Sequence, residues 1–256
     1  MSDASLIESH AHEGGIRELR LARPPVNALN PALVAELLDA VRTAADEVDA
    51  LVLSGREGLF SAGLDLPELL ALDEDGMRRF WTDFFGLLEA LARSPIPIAT
   101  AITGHSPAGG TVLALFTDYR VQADGDFKLG LNEVQVGLVV PPVIHRALAR
   151  LIGPYPAERH LIAGRMISAA EADALGLVDE RVAGDRVVER AIEWCRFHLD
   201  LPRHSMTATR ELVRGDLCSF FDDPAARDTG AFVDFWFSEP TQATLKQVVE
   251  QLKKPR

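Results

Sequence analysis

Hydrophobic and polar residues alternate from Ile16 to Ala22, the two-residue period of a half-buried strand. Asn30-Pro31 then offers a helix start, and Leu33 to Val48 carries apolar side chains at helical spacing. Ala50-Leu51-Val52-Leu53-Ser54-Gly55 reads as a buried strand. The succession returns downstream, where the pattern predicts a helix from Met77 to Leu91, a strand from Ile96 to Ile102 and a short helix from Gly109 to Phe116 behind a tight turn. Continuously apolar strands alternating with helices call for parallel pairing covered on both faces, so the fold class is α/β. Periodicity leaves several doubly wound folds open. A proline interrupts the helical run before Leu201-Pro202, and a boundary is drawn there between 1–200 and 201–256. Beyond it lie Phe220, Phe221, Phe232, Phe235, Trp236 and Phe237. From the residues alone these form the core of a small helical subdomain, and an apolar cluster this dense needs covering.

Composition narrows the partners. A chain of 256 residues, 47% hydrophobic and 25% charged, is ordinary for a soluble globular protein. Its net charge of −12 argues against nucleic acid, which is bound through clustered Lys and Arg. An anionic small molecule stays open, since a few local basic groups and helix N-termini suffice for one. Cys195 and Cys218 stand far apart in no metal-like spacing and are expected to be core thiols in a reducing compartment. Met1-Ser2-Asp3-Ala4-Ser5 is no basic-then-apolar leader, Lys253-Lys254-Pro255-Arg256 is no peroxisomal signal, and no apolar stretch is long enough to cross a bilayer. The expected compartment is the cytoplasm. His10 and His12 have no companions to complete a metal site, so none is expected, and there is no P-loop, dinucleotide fingerprint or nucleophile elbow.

Candidate chemistry lies in two small-residue loops, Phe60-Ser61-Ala62-Gly63-Leu64-Asp65-Leu66 and Gly104-His105-Ser106-Pro107-Ala108-Gly109-Gly110. Glycine and alanine let a substrate approach the main chain closely. A single carboxylate follows in Leu131-Asn132-Glu133-Val134-Gln135-Val136-Gly137. Fixed N–H groups and one base are what proton removal beside a carbonyl needs, because the developing enolate must be held in a dry site. Asp65 reads as a turn or cap residue. His105 and His145 are candidates for lining a pocket, with no proton-transfer role assigned.

These residues, in this order, resemble the crotonase family of enoyl-CoA hydratases and isomerases. The resemblance starts at Arg23-Pro24-Pro25-Val26-Asn27-Ala28-Leu29-Asn30 and passes through both loops and Glu133. It continues into Ala169-Ala170-Glu171-Ala172-Asp173-Ala174-Leu175-Gly176-Leu177-Val178-Asp179, where the family has a helix running into a Gly-Leu-Val-Asp strand. It implies a spiral of ββα units with a C-terminal helical region that covers the pocket and joins subunits into a homotrimer or a dimer of trimers. It also implies that the main-chain N–H groups of Leu64 and Gly109 form an oxyanion hole for an acyl-CoA thioester, helped by the helix that begins at Gly109. Ala28, Ala62 and Leu66 are the implied substrate-binding positions. Coenzyme A is part of the substrate, and no separate cofactor is implied.

Hydratases of the family typically use two glutamates. The first position is Val112 here and the second is Glu133, so one base remains. One carboxylate suffices to move a proton from C2 to C4 of a 3-enoyl thioester, and the arrangement resembles the short mitochondrial-type 3,2-enoyl-CoA isomerases. These share the Ser-Ala-Gly-Leu-Asp-Leu, Pro-Ala-Gly-Gly and Leu-Asn-Glu wording, and they lack the Gly-rich turn where this chain has Pro141-Pro142-Val143-Ile144. The apolar stretch around Glu133 would raise its basicity if it is buried. The alternatives are hydration or thioester hydrolysis with an acid from a segment such as Asp73-Glu74-Asp75, and a non-catalytic acyl-CoA-binding protein. Acyl preference is expected to depend on Phe80, Trp81, Phe84, Phe85 and the C-terminal aromatics.

Overall fold

The protein is described from a computed structural model covering residues 5–252, apart from the side chains of residues 226 and 227. The terminal segments read above, residues 1–4 and 253–256, lie outside it. The chain opens with strands β1 (Ile7–His12) and β2 (Ile16–Leu21) and helix α1 (Pro31–Glu47). Next come β3 (Ala50–Ser54), β4 (Gly58–Leu59), α2 (Leu66–Leu69) and α3 (Glu74–Arg93), then β5 (Ile98–Ile102), β6 (Gly104–Pro107) and α4 (Gly109–Leu115). The third pass contains β7 (Tyr119–Ala123), β8 (Lys128–Gly130), α5 (Pro142–Ile152) and α6 (Pro154–Ala163). It is followed by β9 (Ile167–Ser168), α7 (Ala169–Leu175), β10 (Glu180–Val182) and α8 (Val187–Leu199). Four helices end the described chain: α9 (Arg203–Val213), α10 (Gly215–Ser219), α11 (Thr229–Trp236) and α12 (Glu239–Leu252).

One sheet runs β1-β2-β3-β5-β7-β10 and is parallel except for the β1–β2 pair. A smaller sheet runs β4-β6-β8-β9, with only β8–β9 antiparallel. Each pass gives one strand to the large sheet and the next to the small one: β3 then β4, β5 then β6, β7 then β8. This is the α/β spiral of ββα units with a helical C-terminal region. Strand alternation splits the core. Leu51, Leu53, Ile98 and Ile102 join the main cluster with α1 and α3, whereas Ala50, Val52, Ala99 and Ala101 face α8 through Val187, Ala191, Ile192 and Cys195.

The first expected elements stand nearly as read, and the differences have local causes. Asn30 caps α1, its side chain accepting from Leu33 N at 2.9 Å with Pro31 in the first turn. Helix α3 starts at Glu74, three residues before the apolar periodicity, because Asp73 accepts from Gly76 N at 2.7 Å. Strand β5 begins at Ile98, after Pro97, which has no N–H to donate. The segment 104–107, read as part of a loop, is strand β6. Gly104 pairs with Gly58 so closely that a Cβ on it would sit 1.9 Å from the Gly58 carbonyl carbon. The Gly-Leu-Val-Asp segment, 176–179, is not itself a strand: β10 begins directly after it, at Glu180. Gly176 closes α7 in a left-handed conformation, Leu177 and Val178 are buried, and Asp179 turns its carboxylate to the Arg120 backbone N–H and guanidinium.

Phe220, Phe221, Phe232, Trp236 and Phe237 merge with the main core instead of forming one of their own, and Phe235 is exposed. Phe221 packs on Phe116 and Phe232 on Trp81, with ring centroids 5.6 and 5.0 Å apart. One carboxylate also ties this region to the spiral: Asp118 accepts from Ile98 N and Arg210 Nη2 on one oxygen and from Arg210 Nε and Arg214 Nη1 on the other. No helix among the described residues is long and apolar enough to cross a membrane.

Candidate active site

The first loop is laid against the segment before α1. Ser61 Oγ donates to Asn27 O at 2.7 Å, Leu29 N donates to Gly63 O at 2.7 Å, and Asp65 N donates to Leu29 O at 3.0 Å. The two Leu29 bonds form a parallel bridge that uses the residues on either side of Leu64. The Leu64 N–H is left without a hydrogen bond among the described residues. Asp65 caps α2 by accepting from Glu68 N and pairs with Arg23 at 2.8 Å, so it is occupied structurally.

The second loop turns at Ala108, whose φ of 45° and ψ of −115° are unusual for a residue with a side chain. Ala108 N donates to Gly130 O at 2.8 Å, and the Thr111 hydroxyl donates to Ser106 O while accepting from Gly130 N. The turn delivers Gly109 as the first residue of α4, with no side-chain cap over its N–H. The loops touch at Gly63. It holds φ at +83°, and a Cβ there would lie 3.0 Å from Pro107 O and 3.1 Å from Ala108 Cβ.

Glu133 opens a one-turn 3-10 helix, Glu133–Val136, after β8. Leu138 N donates back to Glu133 O at 2.9 Å, and Gly137 turns the chain at φ 79° against Thr244 of α12. Helix α12 holds this turn from behind, with Thr241 Oγ1 donating to Gly137 O at 3.1 Å. Leu64, Gly109 and Glu133 thus arrive from three segments and line one cavity. Val112, Trp81, Phe84, Ile144 and Phe232 share its walls. Its volume is about 20 Å³, room for about one water.

Glu133 is 8% exposed, and its Oε2 has no hydrogen-bond partner among the described residues. Burial among apolar groups pushes its pKa up to about 7, with its own backbone N–H pulling weakly the other way. It is the one carboxylate among the lining residues. A group so placed exchanges a proton near neutral pH, as a general base must.

Ala28, Ala62 and Leu66 do not line this cavity. Ala28 is buried with its carbonyl accepting from Arg23, Ala62 N donates to Val26 O, and Leu66 begins α2. Ala62 and Leu66 belong to the first loop, and Ala28 to the segment before α1 that pairs with it. His105 and His145 are both exposed and outside it; the His105 ring accepts from Lys128 N and packs on Phe127. The Asp73-Glu74-Asp75 segment is exposed at the start of α3 and supplies no acid to the cavity. Of the expected aromatic walls, Trp81, Phe84 and Phe232 reach it, and Phe80 and Phe85 stand behind them. The walls from Leu138, Val139, Pro141 and Ile144 were not assigned from sequence. Their signal was the apolar run just after Glu133. Among the described residues no group of three or more His, Cys, Asp or Glu gathers to hold a metal ion.

Residues 11–255 match the family model described as enoyl-CoA hydratase/isomerase. This chain belongs to that family. It is 36% identical over 210 residues to the probable enoyl-CoA hydratase echA17 of Mycobacterium avium, covering 80% of each chain. It is 30% identical over 259 residues to the human mitochondrial enoyl-CoA delta isomerase 1, covering 100% of this chain and 85% of that protein. The crystal structure of the human mitochondrial delta3-delta2-enoyl-CoA isomerase superposes with a TM-score of 0.92 at 30% identity, over 97% of this chain and 98% of that one. As a member of the enoyl-CoA hydratase/isomerase family the protein is an enzyme, and an acyl-CoA substrate is consistent with its fold.

Proposed function

We propose that this family member is a 3-enoyl-CoA to 2-trans-enoyl-CoA isomerase working with one base. The observation that carries this reading is the cavity itself, where Glu133 is a buried carboxylate and Val112 is apolar. Ionised Glu133 takes a proton from C2 of the thioester, and the C–H electron pair moves toward the carbonyl to give a dienolate. The Leu64 and Gly109 N–H groups donate to the oxyanion. The Glu133 carboxyl then returns the proton to C4, leaving the double bond between C2 and C3. Water addition would need a second proton carrier on the same wall, and the lining residues offer none. Substrate lies along the Ala28, Ala62 and Leu66 segments on this reading. No cofactor is required beyond the coenzyme A of the substrate. We further propose that the enzyme serves unsaturated fatty acid oxidation in the cytoplasm as a homotrimer or a dimer of trimers.

A second reading is enoyl-CoA hydration, favoured by the name of the mycobacterial relatives at 36% identity. Purified protein given a 3-enoyl-CoA and, separately, a 2-enoyl-CoA distinguishes the two. Rapid conversion of the first without water addition to the second supports the isomerase. Hydration of the second overturns the one-base reading, and inertness toward both overturns both.

A further inference from the structure

A cavity of about 550 Å³ lies away from the Glu133 site, between the end of α8, the face of α9 and the strand starts at Pro97 and Thr117. Its size suits a small molecule. Trp194, Leu201, Met206 and Val213 give it apolar walls. Its charged lining is unbalanced. Arg120, Arg150, Arg210 and Arg214 face one carboxylate, Asp118, whose oxygens are already filled by four donors. Asp179 and Asp216, which pair with Arg120 and Arg150, do not line the cavity. Even counting both, four cations meet three anions in a chain of net charge −12.

Two of the arginines are held inside. Arg120 and Arg214 are 5% and 6% exposed, and the Nε–H of each has no partner among the described residues. Arg120 is held by Asp179 and the Thr117 carbonyl, and Arg214 by Asp118 and the carbonyls of Leu91, Ala92 and Phe116, so the two Nε–H groups are the donors left over. Arg150 is more accessible. Its Nε donates to Asp216 and its Nη2 to the Val213 carbonyl, leaving Nη1 without a bond among the described residues. Apolar walls with an unbalanced cationic end are complementary to a molecule with a hydrocarbon body and a single negative charge.

We propose that this cavity binds an amphipathic monocarboxylate, with its carboxylate at Arg150 and its hydrocarbon body against Trp194, Leu201, Met206 and Val213. The site is separate from the acyl-CoA cavity and does not depend on which reaction that cavity carries out.

Full-length protein titrated calorimetrically with decanoate, and with decanol as a neutral comparator, tests this. One saturable site per chain is expected, with decanoate favoured by at least about tenfold. The Arg150→Gln variant is expected to abolish that preference. Thr209→Trp, which places an indole in the cavity from the exposed face of α9, should weaken decanoate binding by at least about tenfold. Ser205→Trp serves the same end if Thr209→Trp does not fold. The proposal is overturned by absence of saturable binding, by equal affinity for the two ligands, or by decanoate binding that survives the indole. It is also overturned if Thr209→Trp breaks an oligomer in sedimentation, because a second copy of the chain would then be the occupant.

Discussion

Val112 of α4 and Glu133 of the turn after β8 line the same cavity, so an apolar side chain shares the walls with the one buried carboxylate. With Glu133 as the base, kcat/KM for a 3-enoyl-CoA should rise with pH as one proton is lost near 7 and level off above. Glu133→Gln should lower kcat by at least about 10³-fold while thioester binding persists, as fluorescence or calorimetric titration would show. A variant that keeps its turnover removes Glu133 from the mechanism.

The same carboxyl makes stability depend on pH. Its pKa is about 7 folded and 4.5 as the ordinary value, so between these limits the native state holds a proton that the unfolded chain has lost. The contribution is complete below 4.5 and disappears as pH rises through 7, a loss of roughly 3 kcal/mol. Glu133→Gln, always neutral, should therefore unfold at higher temperature than the parent at pH 8 and show little difference at pH 4.5. Calorimetric scans at the two pH values read this directly, and equal shifts at both would refute it.

Gly63 is where the two loops meet. An alanine there suffers both the positive φ and contact with Pro107 O at 3.0 Å. Gly63→Ala should cost about 1–2 kcal/mol in denaturant unfolding. It should also reduce kcat by at least about tenfold by separating the loops. A stability loss without a kinetic one would mean that loop spacing does not govern the reaction.

Phe232 closes the cavity from α11 and packs on Trp81 and Phe85 with centroids 5.0 and 6.0 Å away. Phe232 is half-buried, so Phe232→Ala should open this wall at no more than about 3 kcal/mol of stability, the lower end for a core phenylalanine. The ratio of kcat/KM for a decenoyl over a hexenoyl thioester should then rise. An unchanged ratio would assign chain-length selection to another wall.

Asp118 joins the start of β5 to α9 and α10. Asp118→Asn leaves Arg210 and the buried Arg214 without their anion, and about 3–5 kcal/mol of stability should go with it. Thermal unfolding measures the loss, and a shift within error would show that the carbonyls around Arg214 suffice.

Long elements were legible because their signals are redundant. In α1 the cap at Asn30, Pro31 and the buried set Leu33, Val34, Leu37, Leu38 and Val41 all agree. The small sheet was not legible. Strands β4 and β9 are two residues each, too short for any period, and β6 is built from Gly104, His105, Ser106 and Pro107, which resemble turn residues. The positions of Leu64, Gly109 and Glu133 came from family wording, and their meeting in one cavity depends on pairings between residues far apart in sequence. The misplaced histidines show the limit: lying near those motifs in sequence does not bring His105 or His145 to the cavity, because strand alternation and the α5 face turn them outward.

The N–H hydrogens of Leu64 and Gly109 belong to the peptide chain. Among the genetically encoded side chains, only proline would delete either one. A carboxylate, by contrast, is gained or lost with a single codon. On the proposed reading, the grip on the carbonyl is therefore the heritable constant of this fold, and the choice of what to do with the proton is the part that mutation can rewrite.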